Sequence, residues 1–191
     1  MKTTQVSQQE MAARISRFDQ LKPLKASESI DLPLAAKDVI YSRKLLSVIG
    51  LGEDATTPIN QGAPIQGAAG MTMTLAQCPP GTGPSLHAHL STYETFTVLT
   101  GRFEFRWNDD GSESTVLSAF DTISVPPGVC RAFRNISDEM GLVQVLVTGG
   151  VHDMNDIDFP AATARELAAF GPDVVKSFEG LGFTFTAGSE R

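Results

Sequence analysis

Between Met71 and Thr148 the chain is written in period two. Met71-Thr72-Met73-Thr74-Leu75-Ala76-Gln77 alternates apolar and polar residues, and Arg102-Phe103-Glu104-Phe105-Arg106-Trp107 does so almost without error. Successive side chains of a strand leave opposite faces, so this is the pattern of half-buried strands and not of helices. Tyr93–Thr100, Thr115–Leu117, Thr122–Val125, Arg131–Asn135 and Leu142–Thr148 extend the series, broken at short intervals by Gly, Pro, Asp and Asn. Asn108-Asp109-Asp110-Gly111 reads as a hairpin turn, with Gly111 supplying a positive φ. Many short strands at such spacing confine the chain to an antiparallel sandwich or barrel.

The flanks have a different grammar. Ser7 to Phe18 fits a helix: Ser7 caps it, Glu10 completes a capping box, and Met11, Ile15 and Phe18 form one apolar stripe that Pro23 ends. Asp31-Leu32-Pro33-Leu34 looks extended, Val39–Leu51 holds strand-like pieces, and Asp54–Gly70 reads as a loop. Beyond Gly150, the Ala-rich segment Pro160–Phe170 is closed by Gly171-Pro172, and Pro172–Phe178 offers a second short helix. The layout predicted is one domain: a β core over about 66–150, an N-terminal arm over 1–65 and a helical C-terminal arm over 151–191.

Size and charge narrow the function. A chain of 191 residues, 41% hydrophobic and 19% charged, holds one sizeable core. Its formal charge of -7 argues against nucleic acid, whose phosphates need clustered Lys and Arg. Cys78 and Cys130 are too few for a disulfide framework and read as buried thiols of a reducing compartment. The first ten residues lack the apolar core of a signal peptide, and Leu45–Leu51 is too short for a membrane span. A cytoplasmic protein without membrane or nucleic-acid partners is the expectation.

The chemistry concentrates in the run from Gly81 to Gly101, where His87, His89 and Glu94 fall within eight residues. Histidines two apart in an extended strand share a face, and a carboxylate five residues on can return to it on the next strand. Imidazole and carboxylate together are the ligand set of catalytic zinc, iron, manganese and nickel.

Gly81, His87, His89, Glu94 and Gly101 also fall on the spacing of the first cupin motif, and Pro126, Gly128 and Asn135 fall on the second. In this the chain resembles the cupin superfamily, and in layout the small bacterial quercetin-dioxygenase-like cupins. The resemblance covers roughly 66–150. It implies an all-β double-stranded β-helix (jelly-roll) barrel with short helical arms, a metal inside it, and a homodimer. Two motif positions depart: Phe120 stands for a glycine, and Arg131 stands where the family has a third metal-binding histidine.

Arg131 changes what the resemblance carries. A guanidinium has no lone pair for a metal, so the set is at most two His and one Glu. At ~5 Å and an effective dielectric of about 20, its charge repels a divalent ion by roughly 6 kcal/mol. An anionic substrate would offset this. The alternatives are that Arg131 pairs with Glu94 in the ion's place, or that His152 swings in as a further ligand. Strand parity puts Arg131 on the face of Phe133, pointing inward, where it would anchor a substrate carboxylate.

The expected set is therefore His87, His89 and Glu94 on a divalent ion, Fe(II) first and Mn, Ni or Zn after it. Arg131 and Glu94 take the catalytic roles, and Phe96, Val98, Phe105, Arg131 and Phe133 line the pocket. Met71, Met73 and Leu75 share a face expected to turn inward as well. The function expected is a metal-dependent, oxygenase-type enzyme acting on a small anionic or enolic compound. A metal-free ligand-binding cupin with Arg131 as anion anchor, and a cupin isomerase or lyase, are the alternatives.

Overall fold

The computed structural model describes residues 3–24, 31–51, 62–67, 70–149 and 156–189. The described residues form twelve strands: β1 (Lys44–Gly50), β2 (Ile65–Gln66), β3 (Met71–Cys78), β4 (Ala88–His89), β5 (Tyr93–Thr100), β6 (Arg102–Trp107), β7 (Glu113–Ser118), β8 (Thr122–Val125), β9 (Arg131–Asn135), β10 (Gly141–Thr148), β11 (Ile157–Pro160) and β12 (Thr184–Ala187). Helices α1 (Gln8–Ala12), α2 (Leu34–Ile40), α3 (Ala161–Ala168) and α4 (Val174–Glu179) flank them.

One wall is a sheet in the order β2-β1-β3-β10-β5-β8; the opposing strands form β7-β6-β9 and β12-β11-β4. A single bridge, His87 to Arg131, stitches β4 to β9 and so joins the two smaller sheets into a second wall. The result is a jelly roll whose two walls face each other, not a hydrogen-bonded closed barrel. Alternation decides the filling. Ala76, Cys78, Phe96, Val98, Phe103, Phe105, Val125, Phe133, Val143 and Val145 point between the walls and form the main core. Inside it, Phe96 and Phe133 meet edge to face at 5.3 Å between ring centres.

The hairpin at Asn108–Gly111 forms as expected, with φ of 66° at Gly111. At Gly101 (φ 88°) a Cβ would come within 2.9 Å of the Ser137 hydroxyl, so the turn between β5 and β6 needs glycine twice over.

Several expectations are corrected. On β3 the parity is the reverse of that expected: Ala76 and Cys78 enter the main core, while Met73 and Leu75 pack on the sheet's other face with Leu46, Val48, Leu99 and Leu142. That face is covered, so its apolar residues gave no clue to which side was inside. The Ser7 capping box forms, but the helix ends at Ala12 and Met11, Ile15 and Phe18 stay about half exposed (48%, 48% and 53%). Five residues without a packed face do not sustain a longer helix. Residues after Pro33 are helical, not extended, because Ala36, Val39 and Ile40 bury one face of α2.

The C-terminal arm is not purely helical, since it contributes β11 and β12. Together α2, Phe159 of β11, α3, α4 and Phe183 build a second core. The two arms thus pack on each other. Of the loop expected over Asp54–Gly70, Ile65–Gln66 pairs with β1 in parallel. Residues 54–61, 68 and 69, and His152, lie outside the described residues.

Candidate metal centre

Local pairing aims both imidazoles at one spot. The His87 N–H donates to the Arg131 carbonyl at 3.0 Å, and the Arg131 N–H returns to the His87 carbonyl at 2.9 Å. Ala88 and His89 pair in turn with Asp158 and Ile157 of β11. Held between β9 and β11, the two histidines face Glu94 on β5. Nε2 of His87 lies 3.8 Å and Nε2 of His89 3.7 Å from Glu94 Oε2. One ligand atom from each residue lies within 4.8 Å of the others, and all three side chains are buried.

The second nitrogen of each ring fixes its tautomer. His87 Nδ1 donates to the Ser85 carbonyl at 2.8 Å, which can only accept. His89 Nδ1 lies 3.0 Å from Asp156 Oδ2 and 3.0 Å from Thr92 Oγ1. Both Nε2 atoms therefore turn lone pairs toward Glu94. Burial, then the Arg131 charge, pushes His87 down to about 3, so this imidazole is neutral. Burial alone would raise the Glu94 carboxyl, but Arg131 above all outweighs it and holds Glu94 at about 2.

Two imidazoles and one carboxylate facing each other can offer three electron pairs to one point. That set fits a divalent cation. Ligand atoms 2.0–2.1 Å from an ion stand about 3.0–3.4 Å apart, so each histidine nitrogen needs to close on Glu94 by only about 0.5 Å.

Arg131 occupies the flank of the cluster, inward as parity requires and 2% exposed. Its Nε donates to Glu94 Oε2 at 2.8 Å, Nη2 to the same oxygen at 2.5 Å, and Nη1 to the His87 carbonyl at 3.3 Å. The ion pair with Glu94, given above as the alternative to a bound ion, is therefore present alongside the converging histidines. Arg131 also lines a cavity of about 310 Å³ with Phe105, Trp107, Ile123, Val125 and Pro126. Of the expected pocket residues, Phe105 and Arg131 stand on this wall; Phe96, Val98 and Phe133 lie deeper, in the main core.

The remaining motif residues shape the frame. The Gly128 N–H donates to the His89 carbonyl at 2.7 Å. Asn135, fully buried, ties three segments: its amide donates to the Cys78 and Glu139 carbonyls and its oxygen accepts from the Ser137 N–H. Two site residues escaped the sequence reading. Asp156 meets His89 from 67 positions away, and Phe159 packs its ring 5.4 Å from that of His87. Both arrive on the C-terminal arm, and only the alternation of Ile157-Asp158-Phe159 hinted at a strand there.

Residues 74–148 match the family model described as Cupin domain. No curated protein matches the chain in sequence. Among solved structures it is similar to the Cnp3 cupin domain of Schizosaccharomyces pombe, at 13% identity and a TM-score of 0.42 over 56% of this chain and 65% of that one. It is also similar to a chain from the crystal structures of the DMSP lyases RdDddP and RnDddQII, at 19% identity and 0.45 over 57% and 49%. A third likeness is to KdgF from Halomonas sp., at 18% identity and 0.39 over 44% and 73%. The chain thus spans less than two thirds of the first of these and about half of the second.

Proposed function

Because this chain belongs to the cupin superfamily, we propose that it is a metal-dependent enzyme acting on a small anionic or enolic organic compound, with oxygenase chemistry at Fe(II). Mn, Ni or Zn would suit the same donors. The observation that carries the reading is the convergence of His87 and His89 Nε2 on Glu94 Oε2, with each Nδ1 already committed elsewhere. A divalent ion held there would supply Lewis acidity and, as iron, the means to activate oxygen.

The chain's own residues do the rest. Arg131 reaches both Glu94 and the cavity, so it can bind a substrate carboxylate or enolate beside the ligand set. That anion would offset the repulsion between the guanidinium and the ion. Phe105, Trp107, Ile123 and Val125 give the cavity an apolar wall for the body of the substrate. Phe159 covers the His87 ring and keeps bulk water off that side. An isomerase or lyase would use the same residues, and turnover under nitrogen would place the enzyme there.

The Arg131–Glu94 pair supports a second reading, a metal-free pocket for small anions, since the guanidinium already balances the carboxylate. Elemental analysis of protein purified without chelator, then loaded anaerobically with Fe(II), separates the two. One ion per chain that disappears in His87→Ala supports the enzyme, and substrate-dependent oxygen uptake supports the oxygenase. Protein that takes up no ion, with stability unchanged in His87→Ala, would overturn the metal reading. The same proposal has the chain acting as a cytoplasmic homodimer; sedimentation as a monomer at micromolar concentration would refute the dimer.

A further inference from the structure

Asp156 is wired to His89 more completely than a core carboxylate needs. It is 4% exposed and begins the segment that leads into β11. Its Oδ1 accepts from the Ser91 N–H at 2.6 Å and the Ser91 hydroxyl at 2.5 Å. Its Oδ2 accepts from the Thr92 hydroxyl at 2.5 Å and faces His89 Nδ1 at 3.0 Å. With three donors already on its two oxygens, the carboxylate meets His89 Nδ1 as an acceptor.

That has a consequence for the ring. Thr92 spends its one proton on Asp156, so its oxygen, 3.0 Å from Nδ1, is also an acceptor toward His89. Two acceptors on one side of the imidazole force the proton onto Nδ1. In the neutral ring the lone pair then belongs to Nε2, on the side of Glu94.

We infer that Asp156 is a positioning residue: through Oδ2 it sets the Nδ1–H tautomer and orientation of His89, and so makes the C-terminal arm part of the metal centre. The inference rests on the metal reading for its purpose, but not for its geometry. Carboxylates behind metal-bound imidazoles act in this way, and their removal costs about 10–100-fold in metal affinity.

Asp156→Asn discriminates well. The Ser91 N–H can only donate, so the asparagine oxygen must replace Oδ1, which turns the NH2 toward His89. The amide then donates to Nδ1, and the ring proton moves to Nε2, where it blocks coordination. The experiment is long-range 1H–15N correlation of the imidazoles in metal-free protein at pH 8, paired with calorimetric titration by Zn(II).

Wild-type protein should show the Nδ1–H pattern for His89, and Asp156→Asn the Nε2–H pattern, with Zn(II) affinity about 10–100-fold lower. Thr92→Val, which leaves Asp156 in place, should keep the wild-type tautomer. An Nε2–H His89 in wild-type protein overturns the inference, whether or not any variant folds. So does a folded Asp156→Asn that keeps the Nδ1–H form, or binds Zn(II) as wild type does. Wild-type protein that binds no Zn(II), yet shows the tautomer exchange in Asp156→Asn, supports the role of Asp156 and removes the metal reading alone.

Discussion

Arg131 grips Glu94 by a single oxygen: Nε at 2.8 Å and Nη2 at 2.5 Å both reach Oε2, the atom on which the two histidines converge. The guanidinium therefore does two things that pull against each other. It neutralises a buried carboxylate, and it sets a fixed positive charge beside the place a cation would take. The first effect stabilises the metal-free chain, whereas the second weakens metal binding.

Removing the guanidinium should expose both effects. Arg131→Met leaves Glu94 as an uncompensated buried charge and should lower stability by about 3–5 kcal/mol. Saturating Zn(II) should then stabilise the variant more than wild type, because the ion supplies the missing charge without opposition. Urea unfolding with and without Zn(II) measures this; equal responses of the two proteins would mean that guanidinium and ion do not share the carboxylate.

Acid should unfold the metal-free protein earlier than its composition suggests. His87 is held at about 3 against 6.5 when unfolded, and Glu94 at about 2 against 4.5. Both folded values are depressed, so the unfolded chain binds more protons and each contribution is complete above the unfolded value. The His87 part is lost as pH falls from 6.5 toward 3, and the Glu94 part from 4.5 toward 2. Urea midpoints between pH 7 and 4 should fall steadily, and His87→Phe should shallow the slope by up to one proton.

Phe120 stands 81% exposed at φ 74°, in the turn between β7 and β8. A left-handed conformation costs a side-chain-bearing residue about 1–2 kcal/mol, partly offset by the entropy a glycine loses on folding. Phe120→Gly should therefore raise stability by about 0.5–1 kcal/mol in urea unfolding. A loss of stability would show that the exposed ring has a packing role.

Asn135 closes three backbone groups that lie far apart in sequence. Asn135→Ala strands two carbonyls and one N–H, and should cost about 2–4 kcal/mol. The metal ligands do not touch it, so ion stoichiometry in the surviving folded protein should be unchanged.

Cys78 and Cys130 are both buried, and burial foremost pushes each thiol up to about 11. Neither should react with a thiol reagent at pH 8 until the chain unfolds, when both should react. Rapid labelling of Cys130 in folded protein would point instead to opening of the 126–131 turn.

The strands from Tyr93 to Asn135 were legible because period-two alternation is local, and β5, β6, β8 and β9 begin and end where the turn residues say. The spacing of His87, His89 and Glu94 was legible for the same reason, since two consecutive strands and the turn between them carry all three. Parity on β3 was not. Met73 and Leu75 are as apolar as any core residue, and a sheet covered on both faces does not announce which is inside.

What the sequence alone determined is thus the set of short-range choices: which segments extend, where they turn, and which three nearby side chains come together. Only the tertiary structure decided that Arg131 meets Glu94 across 37 positions, that Asp156 reaches His89 across 67, and that the arms join in a second core. Those contacts depend on how strands from distant parts of the chain come to lie side by side. Pairing is set by the summed packing of whole faces, and no local pattern encodes its partner.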